Sequence, residues 1–207
     1  TGRATDAAGN TGPASPVFTL PVDLTPPTAP TAIVLLDDTG LIRGTITSGV
    51  PTDASQPILA GTGEPGGTIT IYDNGVAIGT TTVLPNGTWS VTPGGPLPDG
   101  THSITVTETD AAGNQSTASE PIIFTVDTTP PSAPGNLVVS NDGGTISGIG
   151  EAGSTVTIRE GDFTLGTVVV DSQGNFSLTL SPPRINGEIL TADATDTAGN
   201  TSPTTSA

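Results

Sequence analysis

The chain has no cysteine and one histidine, and its four basic residues, Arg3, Arg43, Arg159 and Arg184, are all arginine. Without cysteine there is neither a disulfide nor a thiolate metal site, so the protein is held by its cores and by whatever hard cation it binds through oxygen. His102 on its own cannot form a zinc-binding histidine pair, nor be joined by a second histidine base; it reads as a structural or surface residue at a strand start. Four bases against twenty Asp plus Glu leave a net charge of -16. Such a chain is repelled by nucleic acid and by anionic membranes. No apolar run is long enough to span a bilayer, so membrane insertion is not expected. The N-terminus at Thr1 lacks the basic-then-apolar order of a leader, which suggests an internal segment of a longer protein. No nucleophile motif, Walker-type loop or dinucleotide fingerprint is present, and no enzymatic activity is expected.

Polarity comes instead from Thr, Ser, 28 Gly and 20 Pro, the mix of short strands joined by many turns. Alternating Val/Ile/Thr runs argue against disorder despite the Gly and Pro content. The order in the chain is an internal repeat. Thr5–Asn10 (TDAAGN) recurs at Thr109–Asn114 and, as TDTAGN, at Thr195–Asn200, with spacings of 104 and 86 residues. Val22-Asp23-Leu24-Thr25-Pro26-Pro27 recurs at Val126–Pro131 with the same offset of 104. The turn-plus-strand Gly61–Ile71 recurs 87 residues later at Gly148–Ile158, and Asn86–Val91 is echoed by Gln173–Leu178, making Trp89 and Phe176 equivalent. In phase with Val91, Trp89 reads as core; Tyr72 and Trp89 stacking on a sugar is the alternative.

These markers divide the chain into 1–22, the tail of a preceding domain; 23–126, a complete domain; and 127–207, a further domain. Each full repeat holds about seven strand-like runs in about 100 residues, which predicts tandem immunoglobulin-like β-sandwiches, an all-β fold. Pro-Pro linkers mark the boundaries because proline cannot continue a ladder. The last repeat stops before anything matching Pro121–Val126, whereas Pro16–Leu20 is a spare strand of that kind. Strand-swapped self-association is therefore an expectation.

Acidic residues concentrate at the repeat markers. If the TDxAGN loop, the following linker and the next Gly-x-Gly-Glu turn meet at one junction, Asp6, Asp23 and Glu64 converge at the first. Asp110, Asp127 and Glu151 then converge at the second, with Asn10 and Asn114 supplying carbonyl oxygens or turn contacts. Three carboxylates plus carbonyls suit Ca2+, which takes six to eight oxygens. A second acidic set, Asp37, Asp38 and Asp53, flanks a Gly/Thr-rich loop that the next repeat shortens to Asn141–Gly144. The alternative is that these Asp and Asn residues only build turns.

The segments GTGEPGGTITIYDNG, GTWSVTP, DGTHSITVTETDAAGN and VDTTPPSAP resemble the bacterial Ig-like repeats of giant adhesins exported by type I secretion, over nearly the whole chain. That resemblance implies a rod segment of a surface adhesin that attaches to host cells. It also implies an extracellular location, calcium at domain interfaces, and neighbouring Ig-like domains of the same chain as partners. Two other readings stay open: a glycan- or receptor-binding module, with host-surface glycans as ligand, and an accessory domain of a secreted hydrolase.

Overall fold

The computed structural model describes all 207 residues, and every regular element in it is a β-strand. The first thirty residues carry one isolated bridge, Thr5 to Thr11, which closes the first TDAAGN loop on itself. The same bridge recurs from Thr109 to Gln115 and from Thr195 to Thr201, so this loop folds locally wherever its sequence occurs.

The middle repeat forms nine strands: β1 (Thr31–Asp37), β2 (Gly44–Thr45), β3 (Pro51–Thr52), β4 (Ile58–Thr62), β5 (Thr68–Asp73), β6 (Val76–Thr82), β7 (Thr88–Val91), β8 (Gly100–Thr109) and β9 (Ile122–Val126). They lie in two sheets, one ordered β2-β1-β4-β7 and the other β3-β9-β8-β5-β6. Between the sheets lies a core of Leu35, Leu59, Ile69, Ile71, Trp89 and Phe124 with their neighbours. Alternation does the sorting: in β5, Ile69 and Ile71 face inward, while Thr68 is exposed on the outer face. Asn74 and Gly75, both with positive φ, close the tight hairpin from β5 to β6.

The last repeat copies this plan with β10 (Gly135–Val139), β11 (Thr145–Ile149), β12 (Thr155–Glu160), β13 (Phe163–Val169), β14 (Asn175–Thr179), β15 (Leu190–Thr195) and β16 (Thr205–Ser206). Its sheets run β10-β11-β14 and β13-β12-β15-β16 around Ile146, Val156, Ile158, Phe176 and Leu190. Even the irregularities repeat. β1 and β10 each shift register against their partner strand, around Ala32 (φ 51) in one and Asn136 (φ 51) in the other.

Two strand orders bear on function. β8 is antiparallel to β9, with Gly100 opposite Val126, so the linker at Asp127 leaves beside the start of β8. The TDAAGN loop begins at the other end of β8, after Thr109. Ten residues of strand separate the two points by about 30 Å. The parallel pair β3–β9 also fixes the insertion after Asp37 beside the outgoing linker.

Candidate functional site: the domain poles and the junction

Each TDxAGN loop is organised by its aspartate. Asp110 Oδ1 accepts from the amides of Ala112 (2.9 Å) and Asn114 (2.8 Å), while Oδ2 accepts from Asn114 Nδ2 (2.8 Å). Asp6 and Asp196 make the same set with Ala8 and Asn10, and with Ala198 and Asn200. Hydrogen bonds from Asn10 and Asn114 hold the Asp6 and Asp110 carboxyls below the ordinary 3.8. These bonds favour the charged form.

The asparagines also reach out of the loop, as donors. Asn114 Nδ2 donates to the carbonyl of Asp23 (3.2 Å) and Asn200 Nδ2 to the carbonyl of Asp127 (2.8 Å). Each loop thus grips the linker that enters its own domain. Asp23 and Asp127 in turn cap their linkers, accepting from the amides of Thr25 (3.0 Å) and Thr129 (3.1 Å).

This changes the expected grouping of the acidic residues. Asp110 and Asp127 stand at opposite ends of β8 and do not share a junction. Asp110 belongs with Asp23 and Glu64 at the entry pole of the middle domain. Asp127 belongs with Asp196 at the entry pole of the last domain, and the pairing of Thr155 with Thr195 sets the Glu151 turn at the same end. Asp6 remains within its own loop. A strand lying between loop and linker is the physical reason: it carries the chain to the far end of the sandwich.

At the first pole sits a residue the sequence reading missed. Glu108 is fully buried; Oε1 accepts from the Glu64 amide (2.8 Å), and Oε2 has no hydrogen-bond partner. Burial first, and then the neighbouring Glu64 charge, push its carboxyl up. Room for it exists only because residues 63 and 67 are glycine: a Cβ there would lie 2.6 and 2.1 Å from its carboxylate oxygens. The equivalent places in the last domain are Gly150, Ser154 and Ala194, with no acid. A buried Glu in an otherwise alternating strand, facing a Gly-x-x-x-Gly turn, was the clue to read.

At the junction the insertion after β1 meets the last domain. Thr39 Oγ1 bridges Asp37 (3.1 Å) and Asp53 (3.0 Å), and Thr52 Oγ1 donates a short bond to Asp37 Oδ2. The Asp53 carboxyl is raised, chiefly by burial and also by the Asp37 charge. A Cβ placed on Gly199 would lie 3.5 Å from Asp53 Oδ2 and 3.4 Å from the backbone of Ile42, so the insertion lies against the TDTAGN loop of the last domain. Asp38 is exposed beside this pair. From the other side, Thr52 O accepts from the Asp127 amide (2.9 Å), and Asp99 accepts from Thr128 and Thr129 at 2.7–2.9 Å.

Acidic side chains therefore neighbour one another two by two: Asp37 and Asp53 share Thr39, and Glu108 feels the charge of Glu64, whose own carboxylate accepts from the Thr28 amide (3.3 Å). No three acidic or histidine side chains stand close enough to hold a metal among them. Neither pair is neutralised by a base, since the ion pairs are His102–Asp73, Arg159–Asp193 and Arg184–Glu160. A hard cation on either pair would draw its other ligands from the threonine hydroxyls, carbonyls and water.

A family model described as a bacterial Ig-like domain matches residues 27–128, and one described as a bacterial Ig domain matches 130–207. No curated protein matches the chain. Among solved structures, the fibronectin(III)-like modules of CbhA from Clostridium thermocellum are 14% identical, with 84% of this chain and 90% of that one covered and a TM-score of 0.47. An adhesin of an Antarctic bacterium, described as Ca2+-stabilised and ice-binding, is 26% identical over 99% of this chain, with a TM-score of 0.39. A biofilm-associated protein's BSP domain is 24% identical over 75% of this chain, with a TM-score of 0.32. The chain spans 27% of the biofilm-associated structure and 53% of the Antarctic one.

Proposed function

Because the chain belongs to the bacterial Ig-like domains, two of them in tandem, we propose that it is an extender segment of a bacterial surface adhesin whose junctions calcium stiffens. Residues 1–22 would then be the end of a preceding domain of the same kind, with boundaries near Asp23 and Asp127. The segment performs no chemistry; it holds its neighbours at a set distance and angle, outside the cell, so that another part of the protein reaches the host surface.

The observation that carries this reading is the uncompensated Asp37–Asp53 pair against the loop of the next domain. Two carboxylates about 4 Å apart repel by roughly 1 kcal/mol in water and about 4 at an effective dielectric of 20. A divalent cation reverses that sign. With Asp37 and Asp53 from one domain and the Asp127 linker beside them, it would join both sides of the junction. Glu64 and Glu108, with Asp23 nearby, offer the entry pole a second place; Glu151 is their counterpart at the last domain's own entry.

At about 1 mM calcium and a dissociation constant of about 0.1 mM, each site would stabilise its junction by roughly 1.4 kcal/mol, enough to bias a hinge. Calorimetric titration of the chelated protein tests this. Binding in the millimolar range or tighter, weakened at least tenfold by Asp53→Asn, is expected. No heat and no change on that substitution would refute it.

A further inference from the structure

His102 lies almost wholly inside the middle domain, 3% exposed. Its Nδ1 is 2.7 Å from Asp73 Oδ2 and its Nε2 is 2.8 Å from the carbonyl of Pro98. Both partners are acceptors. A neutral imidazole has one N–H and would turn a lone pair toward one of them; only the imidazolium donates to both.

The Pro98 carbonyl is part of the turn that carries Asp99. Asp99 holds the linker through Thr128 and Thr129, and the linker carbonyl of Asp127 is held by Asn200 of the last domain. A continuous series of hydrogen bonds thus runs from the β5 end through His102, Pro98–Asp99 and the linker into the next domain.

The last domain solves the same problem differently. Glu160 ends β12 as Asp73 ends β5, and it holds Arg184, whose Nε donates to Glu160 Oε2 at 2.8 Å in the turn before β15. Arginine there is charged at every relevant pH, whereas histidine is the side chain that changes charge between about pH 5 and pH 8.

We propose that His102 is a proton-operated clasp: its imidazolium pins the Pro98–Asp99 turn and so fixes the junction between the two domains, and loss of that proton frees the turn. The charged groups facing this assembly are few. Asp73 comes from β5; Asp99 points away to the linker threonines; β9 contributes the apolar ring of Phe124, centred 5.5 Å away. Deprotonation sets the Nε2 or Nδ1 lone pair against an oxygen, and the weaker anchor is the loop carbonyl rather than Asp73, which the Ser103 amide also holds (3.2 Å). The clasp shares the Asp127 linker with the calcium reading, but its proton-bearing contacts, His102 with Asp73 and Pro98, lie outside the carboxylate pairs described above.

The chain's lack of cysteine makes spin labelling direct. Val76→Cys and Phe163→Cys put labels at matching exposed hairpin tips of the two domains. Inter-label distances are measured from about pH 5 to about pH 8, where histidine changes charge, in calcium and again in chelator. Within each solution the distribution is expected to be broader at the basic end than at the acidic end, whatever width calcium or chelator sets, and His102→Arg is expected to remove this pH response. A wild-type distribution unchanged across that range, or a response that survives His102→Arg, would overturn the clasp. Ring 15N shifts of the unsubstituted protein give an independent reading: both nitrogens are expected to be protonated at about pH 5, and a single protonated nitrogen there overturns the proposal even if the variant fails to fold.

Discussion

Gly61 and Trp89 show what a single residue contributes. Trp89 is buried over Gly61, where a Cβ would fall 2.5 Å from the indole; in the last domain Gly148 makes the same room, 2.8 Å from Phe176. Gly61→Ala therefore overpacks the core and is expected to destabilise by about 1–3 kcal/mol, while Trp89→Ala is expected to lose about 3–5 kcal/mol. Denaturant melts of both variants check this, and an unchanged midpoint for either would contradict the packing described.

Glu108 and Asp53 predict the opposite sign. Each has a carboxyl raised in the folded protein, so the native state holds its proton more tightly than the unfolded one. With calcium removed, these two groups make stability increase as pH falls from neutrality toward their ordinary values of 4.5 and 3.8. Asp99 and Asp110 have lowered carboxyls, and the stability they supply is lost as pH drops below 3.8. Glu108→Gln is expected to raise the chelated protein's melting temperature at neutral pH and reduce its gain from calcium. Thermal melts across pH check both statements.

At the scale of elements, the strands were legible and the loops only half so. The alternation of Thr68–Tyr72 and Thr88–Val91, the Asn-Gly turns and the equivalence of Trp89 and Phe176 all read correctly, because period-two patterning is written directly in residue order. The meeting of Asp110 with Asp127 did not, because proximity depends on strand direction, and β9 carries the chain to the opposite pole. Asn114 likewise proved to act through its amide nitrogen, tying loop to incoming linker. Asn114→Ala is expected to speed amide exchange at Ala112 and around Asp23 while leaving β5 and β8 protected. Uniform protection throughout would show that the loop does not depend on this side chain.

Across the whole molecule, two similar sandwiches are joined by one linker held on both sides: by Thr52 and Asp99 from the middle domain and by Asn200 from the last. The insertion from Asp38 to Val50, which the last repeat lacks, lies against that joint at Ile42 and Gly199. Such bracing would suit the proposed extender role. The proposed calcium stiffening would rest on the Asp37–Asp53 pair, whose repulsion a bound cation relieves as protonation does at lower pH.

Small-angle scattering of the chain in calcium and then in chelator tests this most directly. Calcium is expected to give the longer particle, with a larger radius of gyration and a single extended distance distribution, and chelator a shorter average from a bending joint. Identical curves in the two solutions, with Asp53→Asn also superimposing on them, would contradict a cation-stiffened junction.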